Sequence, residues 1–471
     1  VFPDRTPQPA LYEVKKAHEF INFKEKGINS NDELRILVEN LYDFTNLNMF
    51  DITAKIKADG KVLKTIPLET ISVETHTGKL IRISLEDITY KTNTEYFVEI
   101  SATTKNAWGI LPAGFEVAHE QIRLDAKYQK ERVSVDNGIA LSIHKEGLNT
   151  TVSNADVELV FNEKEGRLIS YKFKNNELLK DGKGPKPNFW RAVTDNDFGN
   201  RMQVRNFEWK KASLFSEVTE VVSNQLSTNE VELRVTYKLP GVDTHFKSVY
   251  TINGKGAVRI ENTLGVTEYK ADIPRIGMRM QLPKQYNTMT YFGRGPWENY
   301  QDRKHSAFVD VYKSSVSDQY VPYIRPSENG YKTEVRWVSL VNEEGNGLLV
   351  VAEDFKNGVG IGALHMLNED FDTTAGLDYG ASKSVDEKYQ IDGIPKVNKA
   401  KHTTDIKEKD LVQLNIDLVQ RGVGGDDSWF SKPQKKYLVD GAIEHTYTFY
   451  LIPVEQGSKE LFLKLSKQFG K

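Results

Sequence analysis

Apolar and polar residues alternate in short stretches from about residue 34 to residue 451 of this 471-residue chain, and this period constrains the fold more than any other feature. Examples are Leu34–Val38, Val231–Tyr237 and Tyr447–Leu451. Because successive side chains of a β-strand point to opposite faces, a period of two indicates half-buried strands. Long helical patterns are nearly absent, so the sequence predicts an all-β protein.

The chain is too long for one ordinary domain. Residues 19–125 hold about seven short strand patterns, with Asp59-Gly60 as a hairpin turn, which predicts an immunoglobulin-like β-sandwich without its Cys pair. Strand patterns continue over residues 130–471 without a regular repeat, which predicts one large antiparallel sandwich. A short amphipathic helix is predicted near Leu11, and another, capped by Ser458, near the C-terminal end.

Composition excludes several classes of function. The net charge of −3 argues against a nucleic-acid partner, and no apolar run is long enough to span a bilayer. Without cysteine, the chain has no disulfide, thiolate metal site or Cys nucleophile. HExxH, GxSxG, P-loop and dinucleotide-binding motifs are also missing. The sequence begins VFPDRTPQPALYEVKKAHEF, with neither an initiator Met nor a signal peptide, so we expect a fragment or a processed product.

The stretch RGVGGDDSWF, residues 421–430, follows a predicted half-buried strand, LNIDLVQ. We expect Gly424 and Gly425 to allow backbone angles that a side chain would forbid. Trp429 stands beside Asp426 and Asp427, and a ring next to carboxylates suits a sugar, since the ring packs on C–H faces while the acids bind hydroxyls. The alternative is a turn with a packed Trp.

The stretch FWRAVTDNDFGNRM, residues 189–202, imitates the start of a calcium loop through Asp195, Asp197 and Gly199. An EF-hand requires Glu at the twelfth position, where this chain has Asn206. The pattern therefore favours a polar loop that contacts a ligand or organises its own turn.

The stretch YFGRGPWENYQDRKHSAF, residues 291–308, is the densest in polar and aromatic residues. Glu298 could act as an acid and His305 as a base. We favour a structural interpretation, in which Arg–carboxylate pairs and a Gly-Pro turn connect two strands. The stretch VPYIRPSENGYKTEVRWVSL, residues 321–340, has a similar character, with Glu328-Asn329-Gly330 as a turn.

Four motifs, FWRAVTDNDFGN, GRGPWENYQDR, YIRPSENG and GVGGDDSW, occur in this order. In order and wording they closely resemble the C-terminal part of LacZ-type β-galactosidases of glycoside hydrolase family 2, and the likeness covers essentially the whole chain. The resemblance implies that residues 1–18 are the trailing edge of a TIM barrel, residues 19–125 the second immunoglobulin-like domain, and residues 130–471 a terminal sandwich of galactose-mutarotase-like fold.

The resemblance also implies an activity. The family is a retaining glycosidase that removes terminal β-D-galactose, with one Glu as acid/base and another as nucleophile. Both glutamates and a magnesium site, with a possible sodium site, belong to the barrel, so we expect no catalytic residue, no metal ligand and no hydrolysis from this chain alone. The implied partners are a β-galactoside, the barrel itself and, in a homo-oligomer, further copies. The implied compartment is the bacterial cytoplasm or periplasm.

Carried over by motif, the resemblance makes Trp429 part of the substrate pocket wall, with Asp426 and Asp427 shaping its loop. The resemblance also implies that a mobile active-site flap supplies five further candidates for substrate binding: Asp195, Asn196, Asp197, Phe198 and Gly199. Three positions depart from the family pattern: Val193 replaces a frequent Pro, Arg421 a frequent Met and Phe430 a frequent Gly. The last two flank Trp429 and put the aglycone preference in doubt.

Two other functions stay open. The chain could be a carbohydrate-binding or structural module in its own right. It could also be an aldose mutarotase or epimerase, although fold similarity alone is a weak warrant for function. Such an enzyme needs an acid and a base at one anomeric centre, whereas His144, His305, His365 and His402 lie in unrelated sequence contexts.

Overall fold

The computed structural model describes residues 1–131, 133, 136–372, 400, 402–427 and 430–470. The chain forms two compact units, Pro3–Arg132 and Val133–Lys471. The predicted barrel edge at residues 1–18 remains a prediction.

Within the described residues, the first unit contains one α-helix and seven strands. The helix α1 spans Pro9–Ala17. The strands are β1 (Ile21–Ile28), β2 (Glu33–Asn40), β3 (Phe50–Ala58), β4 (Lys61–Pro67), β5 (Gly78–Ser84), β6 (Tyr96–Thr104) and β7 (Glu116–Arg123).

These seven strands form an antiparallel sandwich. One sheet has the order β1-β2-β5 and the other β4-β3-β6-β7. Alternate residues of both sheets meet in one core, for example Ile36 of β2 and Ile56 of β3, which are fully buried. Asp59 and Gly60 take positive φ values in the β3–β4 hairpin, as an Asp-Gly turn requires. The predicted immunoglobulin-like sandwich is confirmed.

The second unit contains five short helices and nineteen strands within the described residues. The helices are α2 (Asp195–Gly199), α3 (Met202–Arg205), α4 (Phe207–Leu214), α5 (Asn368–Phe371) and α6 (Lys459–Phe469). The strands are β8 (Ser142–Glu146), β9 (Asn149–Ser153), β10 (Val157–Asn162), β11 (Arg167–Phe173), β12 (Asn176–Glu177), β13 (Lys186–Asn188), β14 (Glu217–Ser227), β15 (Glu230–Leu239), β16 (Thr244–Asn253), β17 (Val258–Leu264), β18 (Arg275–Leu282), β19 (Thr288–Gly295), β20 (Phe308–Ser315), β21 (Lys332–Val335), β22 (Trp337–Val341), β23 (Gly347–Ala352), β24 (Val359–Leu364), β25 (Val412–Gln420) and β26 (His445–Val454).

The described residues of the second unit form three antiparallel sheets. Their orders are β12-β11-β10-β9-β8, β13-β18-β25-β24-β21 and β14-β15-β16-β17-β26-β23-β22-β19-β20. One hydrophobic core joins all three, for example through Leu159, Ile416 and Leu348. The predicted all-β antiparallel architecture is confirmed. Ser458 Oγ accepts a hydrogen bond from Leu461 N at 3.2 Å, so the predicted cap of the last helix is confirmed as well.

The strand β25 differs from its prediction as a half-buried strand. Both of its faces are buried, including Gln413, Asn415 and Asp417. It lies between β18 and β24, and its polar face packs against other polar groups, such as the Arg275 guanidinium 3.0 Å from Asp417. Alternation here reflects a buried polar face opposite an apolar one, and sequence periodicity cannot distinguish that from solvent exposure.

The stretch after Trp190 also differs from its prediction as a loop. It contains α2, α3 and α4 in succession. Thr194 caps α2: its Oγ1 accepts from Asp197 N at 3.2 Å, while the Asp197 carboxylate accepts from Thr194 N at 3.3 Å. This reciprocal capping box is a helix start signal that competes with the turn chemistry of Asp and Asn. Among the described residues, no helix has the length and apolarity that crossing a membrane requires.

Candidate functional site

Three of the four sequence motifs meet at the backbone of residues 421–424, which we call the loop base, and the fourth lies beside them. The loop base directly follows β25 and leads into the predicted Trp429 loop. Side chains from FWRAVTDNDFGN hold its carbonyls, and one from GRGPWENYQDR holds its amides. Stretches more than 100 residues apart in sequence therefore converge at one place.

Arg191 provides the deepest contact with the loop base. Its guanidinium forms a two-point ion pair with Asp197, with Nε–Oδ2 at 3.1 Å and Nη2–Oδ1 at 2.9 Å, and both side chains are buried. The same group donates to the carbonyls of Arg421 at 2.6 Å and Gly422 at 2.8 Å. Burial lowers the pKa of Arg191, but the Asp197 carboxylate outweighs it and raises the pKa above its usual value. A charged guanidinium thus clamps two successive carbonyls.

The helix α2 adds a second hold. Asn196 Nδ2 donates to the carbonyl of Val423 at 3.0 Å, so each of the first three carbonyls of the loop base accepts from a side chain of this stretch. Asn200, just after α2, donates to the carbonyl of Ser431 at 3.4 Å, where the chain leaves the loop. The helix is therefore hydrogen-bonded to both ends of the loop.

Asp302 holds the amide side of the loop base. Its carboxylate accepts from Val423 N at 3.1 Å and from Gly424 N at 2.8 Å. The glycines make this approach possible, because a Cβ on Gly422 would lie 2.4 Å from Asp302 Oδ2. The predicted reason for the glycines was wrong: Gly424 and Gly425 do not take left-handed φ values. Close packing, and not an unusual backbone angle, excludes side chains here.

The tip of the loop is only partly within the described residues. Trp429 and Ser428 lie outside them. Asp427 Oδ1 accepts from Phe430 N at 3.2 Å, and its Oδ2 accepts from Ser431 Oγ at 2.8 Å. Asp426 is exposed, and Phe430 is 67% exposed. The carboxylate of Asp427 is therefore hydrogen-bonded to the two described residues that follow the tip.

The exposed side of α2 faces the YIRPSENG motif. Arg325 pairs with Asp195 at 3.0 Å, and its guanidinium lies over the Phe198 ring, 4.8 Å from the centroid. Burial lowers the pKa of Arg325. The Asp195 side chain is 81% exposed, and Phe198 and Gly199 are half-buried. Asp195 and Asp197 therefore face two different arginines and do not converge as calcium ligands would.

A second charged network lies between β18, β25 and residue 328. The Arg275 guanidinium lies 2.7 Å from Glu328 and 3.0 Å from Asp417. Gln420 Nε2 also donates to Glu328, at 3.0 Å. Burial raises the pKa of Asp417 to about 7, despite the nearby guanidinium of Arg275. This network connects the YIRPSENG motif to the strand that carries the loop base.

Glu298 is buried, and its carboxylate accepts hydrogen bonds from three donors. Its carboxylate accepts from Arg303, from the Tyr323 hydroxyl and, at 2.7 Å, from Gly330 N. His305 is exposed. An Arg–carboxylate pair, as the structural interpretation of this stretch predicts, is present at Glu298, and the absence of a catalytic role for this residue stays a prediction.

The histidines named as mutarotase candidates are spread over the second unit. His144 lies in β8 and His402 in a surface turn, both exposed. His365 is buried, with Nδ1 2.7 Å from the carbonyl of Leu411 and Nε2 2.8 Å from Asn287 Oδ1. Over the described ranges, no three His, Asp or Glu side chains are grouped as a metal site would require.

Comparison of the sequence with known proteins identifies the class to which the chain belongs. The sequence profile of the β-galactosidase small chain matches residues 153–451, and that of β-galactosidase domain 4 matches residues 36–125. A β-galactosidase of Priestia megaterium is 31% identical over 96% of this chain and 40% of its own length. One from Streptococcus thermophilus is 24% identical, with the same two coverages.

The two matched domains define a C-terminal segment of a LacZ-type β-galactosidase, as the resemblance predicted. The chain belongs to the β-galactosidase small chain family. It spans about 40% of the length of the curated relatives it matches. A putative aldose 1-epimerase of Escherichia coli K12 superposes with a TM-score of 0.33 and 11% identity, over 67% of this chain and 99% of that one, a likeness too distant to carry a functional argument.

Two residues at the loop base were missed by sequence reasoning. Arg191 and Asp302 lie inside the quoted motifs, but nothing in the sequence assigned them to the loop. The spacing of Arg191 and Asp197 around the Thr194 cap hints at a local pair. Their contacts with residues 421–424 span 121 to 231 positions, beyond the reach of local patterns.

Proposed function

We propose that this chain is the part of a retaining β-galactosidase that forms one wall of the galactoside pocket, with Trp429 as the face on which the sugar packs. The acid/base and nucleophilic glutamates, and a magnesium site, would come from a barrel outside this chain. The observation that carries the proposal is the loop base, because Arg191, Asn196 and Asp302 hold five of its backbone groups.

A firmly held loop base suits a binding role. Affinity for a small sugar depends on limiting the conformational entropy that is lost when the pocket orders around it. Side chains hydrogen-bond to the backbone carbonyls and amides of the loop base. These bonds fix the direction in which the following residues leave the strand. An aromatic ring at position 429 would then present a constant apolar face to the C–H groups of galactose.

The α2 candidates divide into two proposed roles. Asn196 and Asp197 have their side chains engaged with Val423 and Arg191, so we assign them to holding the loop. Asp195 is exposed, Phe198 is half-buried, and both contact Arg325, so they are the candidates for direct contact with the sugar or aglycone. Gly199 is the last residue of α2 and is assigned to neither role.

Activity measurements test this division of labour. Nitrophenyl-β-galactoside release would be followed for this chain alone, for the separately made upstream portion of its parent, and for the two together. We expect no hydrolysis from either piece and hydrolysis from the mixture. Hydrolysis by this chain alone would contradict the proposal. Lactose binding by the isolated chain at low-millimolar affinity would favour the independent binding module instead, since one platform ring without partners buries little sugar surface.

A further inference from the structure

The ion pair between Asp195 and Arg325 lies on the outer side of α2. Arg325 Nη1 is 3.0 Å from Asp195 Oδ1, and Asp195 Oδ2 has no hydrogen-bond partner among the described residues. The Asp195 side chain is 81% exposed and that of Arg325 is 27% exposed. The pair of Arg191 and Asp197, on the inner side of the same helix, is buried. A ligand can therefore reach the outer pair, whereas the inner pair only holds the loop.

The ring of Phe198 supports the Arg325 guanidinium. The guanidinium carbon lies over the ring, 4.8 Å from its centroid, and the ring itself is half-buried against the hydrophobic core. A guanidinium is planar, so it can lie on an aromatic face while the N–H groups along its edge still donate hydrogen bonds. One of these edge groups reaches Asp195. The guanidinium also covers a ring face on which an aromatic ligand could otherwise pack.

The helix α2 places this pair beside the Trp429 loop. Asn196, the residue after Asp195, donates to a carbonyl of the loop base at 3.0 Å. Asn200, just after the helix, donates to a carbonyl at the far end of the loop at 3.4 Å. A five-residue α-helix is only about 7.5 Å long, so both contacts are made close to Asp195. If galactose packs on Trp429, the group bonded to it would extend over the neighbouring surface, and the outer pair is part of that surface.

We propose that Asp195 and Arg325 bind hydroxyl groups of the aglycone, so that the pocket prefers galactosides with a saccharide leaving group over those with an aromatic one. This inference rests on the proposed pocket-wall function and adds the class of aglycone to it. A carboxylate oxygen accepts from one hydroxyl while a guanidinium donates to another, and adjacent hydroxyls of a sugar ring can meet both. A nitrophenyl ring has no hydroxyl to replace the water that it displaces from these charged groups.

Kinetics of the reconstituted enzyme with lactose and nitrophenyl-β-galactoside test this preference. Arg325→Met removes the donors and keeps most of the volume, so kcat/KM should fall about tenfold for lactose and less than about twofold for nitrophenyl-β-galactoside. Arg325→Lys keeps the charge without the planar edge and should restore only part of the kcat/KM for lactose. Lys211→Met is the matched control, because Lys211 pairs with Glu208 at 2.7 Å, is 28% exposed and lies over the Phe207 ring. It should leave both values unchanged.

An unchanged ratio of the two kcat/KM values in Arg325→Met would overturn the inference, whether both substrates keep their values or lose them equally. If Arg325→Met does not fold, Asp195→Asn decides the question at a largely exposed position, where a loss confined to lactose is expected. If mixing the two pieces gives no activity, the same variants are made in the uninterrupted parent enzyme. Failure of the proposed function is distinguishable, because Trp429→Ala would then leave kcat/KM unchanged for both substrates.

Discussion

At the scale of single residues, Asp302 shows how one carboxylate can determine the composition of a distant loop. Its two oxygens accept from Val423 N and Gly424 N, and it approaches so closely that position 422 has no space for a Cβ. Two hydrogen bonds to a charged acceptor contribute about 1.5–3 kcal/mol each in favourable cases. The glycine and the aspartate are therefore one structural unit, although 120 positions separate them in sequence.

Gly422→Ala is predicted to destabilise the chain by about 1–3 kcal/mol, because the added Cβ would lie 2.4 Å from Asp302 Oδ2 and 3.1 Å from Pro433 Cβ. Removing the carboxylate in Asp302→Ala relieves the first clash. The loss of unfolding free energy in the double variant should therefore be smaller than the sum of the two single losses by about 1 kcal/mol. Urea unfolding of the four proteins measures this coupling.

Gly362→Ala is the matched control, since its Cβ would have an ordinary contact at 3.5 Å with Asn415 Nδ2 and none with Asp302. Its effect should add to that of Asp302→Ala. Additive effects for Gly422→Ala and Asp302→Ala, within about 0.5 kcal/mol, would show that the close approach has no energetic consequence.

At the scale of elements, the end of β19 is joined to β21 by charge. Glu334 of β21 lies 2.8 Å from Arg294 of β19 and 2.8 Å from Lys304 in the following loop. Burial raises the pKa of Glu334, but Arg294 and Lys304 outweigh it, and the pKa falls to about 2. In an unfolded chain the group titrates near 4.5. The ionised carboxylate therefore favours the folded state.

The sign of this shift gives a pH prediction. A carboxylate with a depressed pKa contributes its full stabilisation above pH 4.5 and loses it as the pH falls toward 2, for a total of about 3 kcal/mol. The free energy of unfolding, measured with urea, should be higher for wild type than for Glu334→Gln at about pH 5. At about pH 3 this difference should be smaller by about 2 kcal/mol. Glu343→Gln, at an exposed position, should show no such change. A difference independent of pH would refute the assigned pKa.

Strands with one apolar and one solvated face could be predicted from their period, as Val231–Tyr237 of β15 shows. The polar residues of β25 could not be placed, because a buried polar face and a solvated one have the same pattern. The helices α3 and α4 were also missed. They are short, Asn206 between them makes no side-chain cap, and α4 is largely buried, so neither an amphipathic stripe nor a clear cap marks them.

At the scale of the whole molecule, the two units have separate cores. Every residue in the core of the first unit lies between Ile21 and Leu124. A domain with its own core and paired strands can in principle fold alone. The first unit therefore has both its own hydrophobic core and its own paired strands.

A fragment of residues 3–131 is predicted to fold by itself and to unfold in one cooperative urea transition, followed by circular dichroism. Ile36→Asp, at a fully buried position, should abolish that transition, since an unpaired charge would enter the core. Val62→Asp, at a side chain 46% exposed, should leave it nearly unchanged. A non-cooperative unfolding curve for the wild-type fragment would refute an independent first unit.

The position of the candidate site could be inferred only in part. Sequence motifs marked FWRAVTDNDFGN and GVGGDDSW as related to one another, but only through a family resemblance. The physical reason for this relation is the buried Arg191–Asp197 pair, whose guanidinium donates to carbonyls 230 and 231 positions away. These contacts depend on the sheet order, in which β13 and β25 lie on either side of β18. Long-range strand order of this kind is not encoded in local periodicity.

The central claim is that the loop base holds Trp429 as a wall of the galactoside pocket, and the most direct measurement compares Trp429→Ala with wild type in the reconstituted enzyme. Kinetics with nitrophenyl-β-galactoside and lactose should show kcat/KM reduced at least tenfold, about 1.4 kcal/mol or more, with the unfolding of the chain unaffected. Phe430→Ala, at the exposed neighbouring ring, should have a much smaller effect on galactoside binding. Unchanged kcat/KM for both substrates in Trp429→Ala would contradict the account.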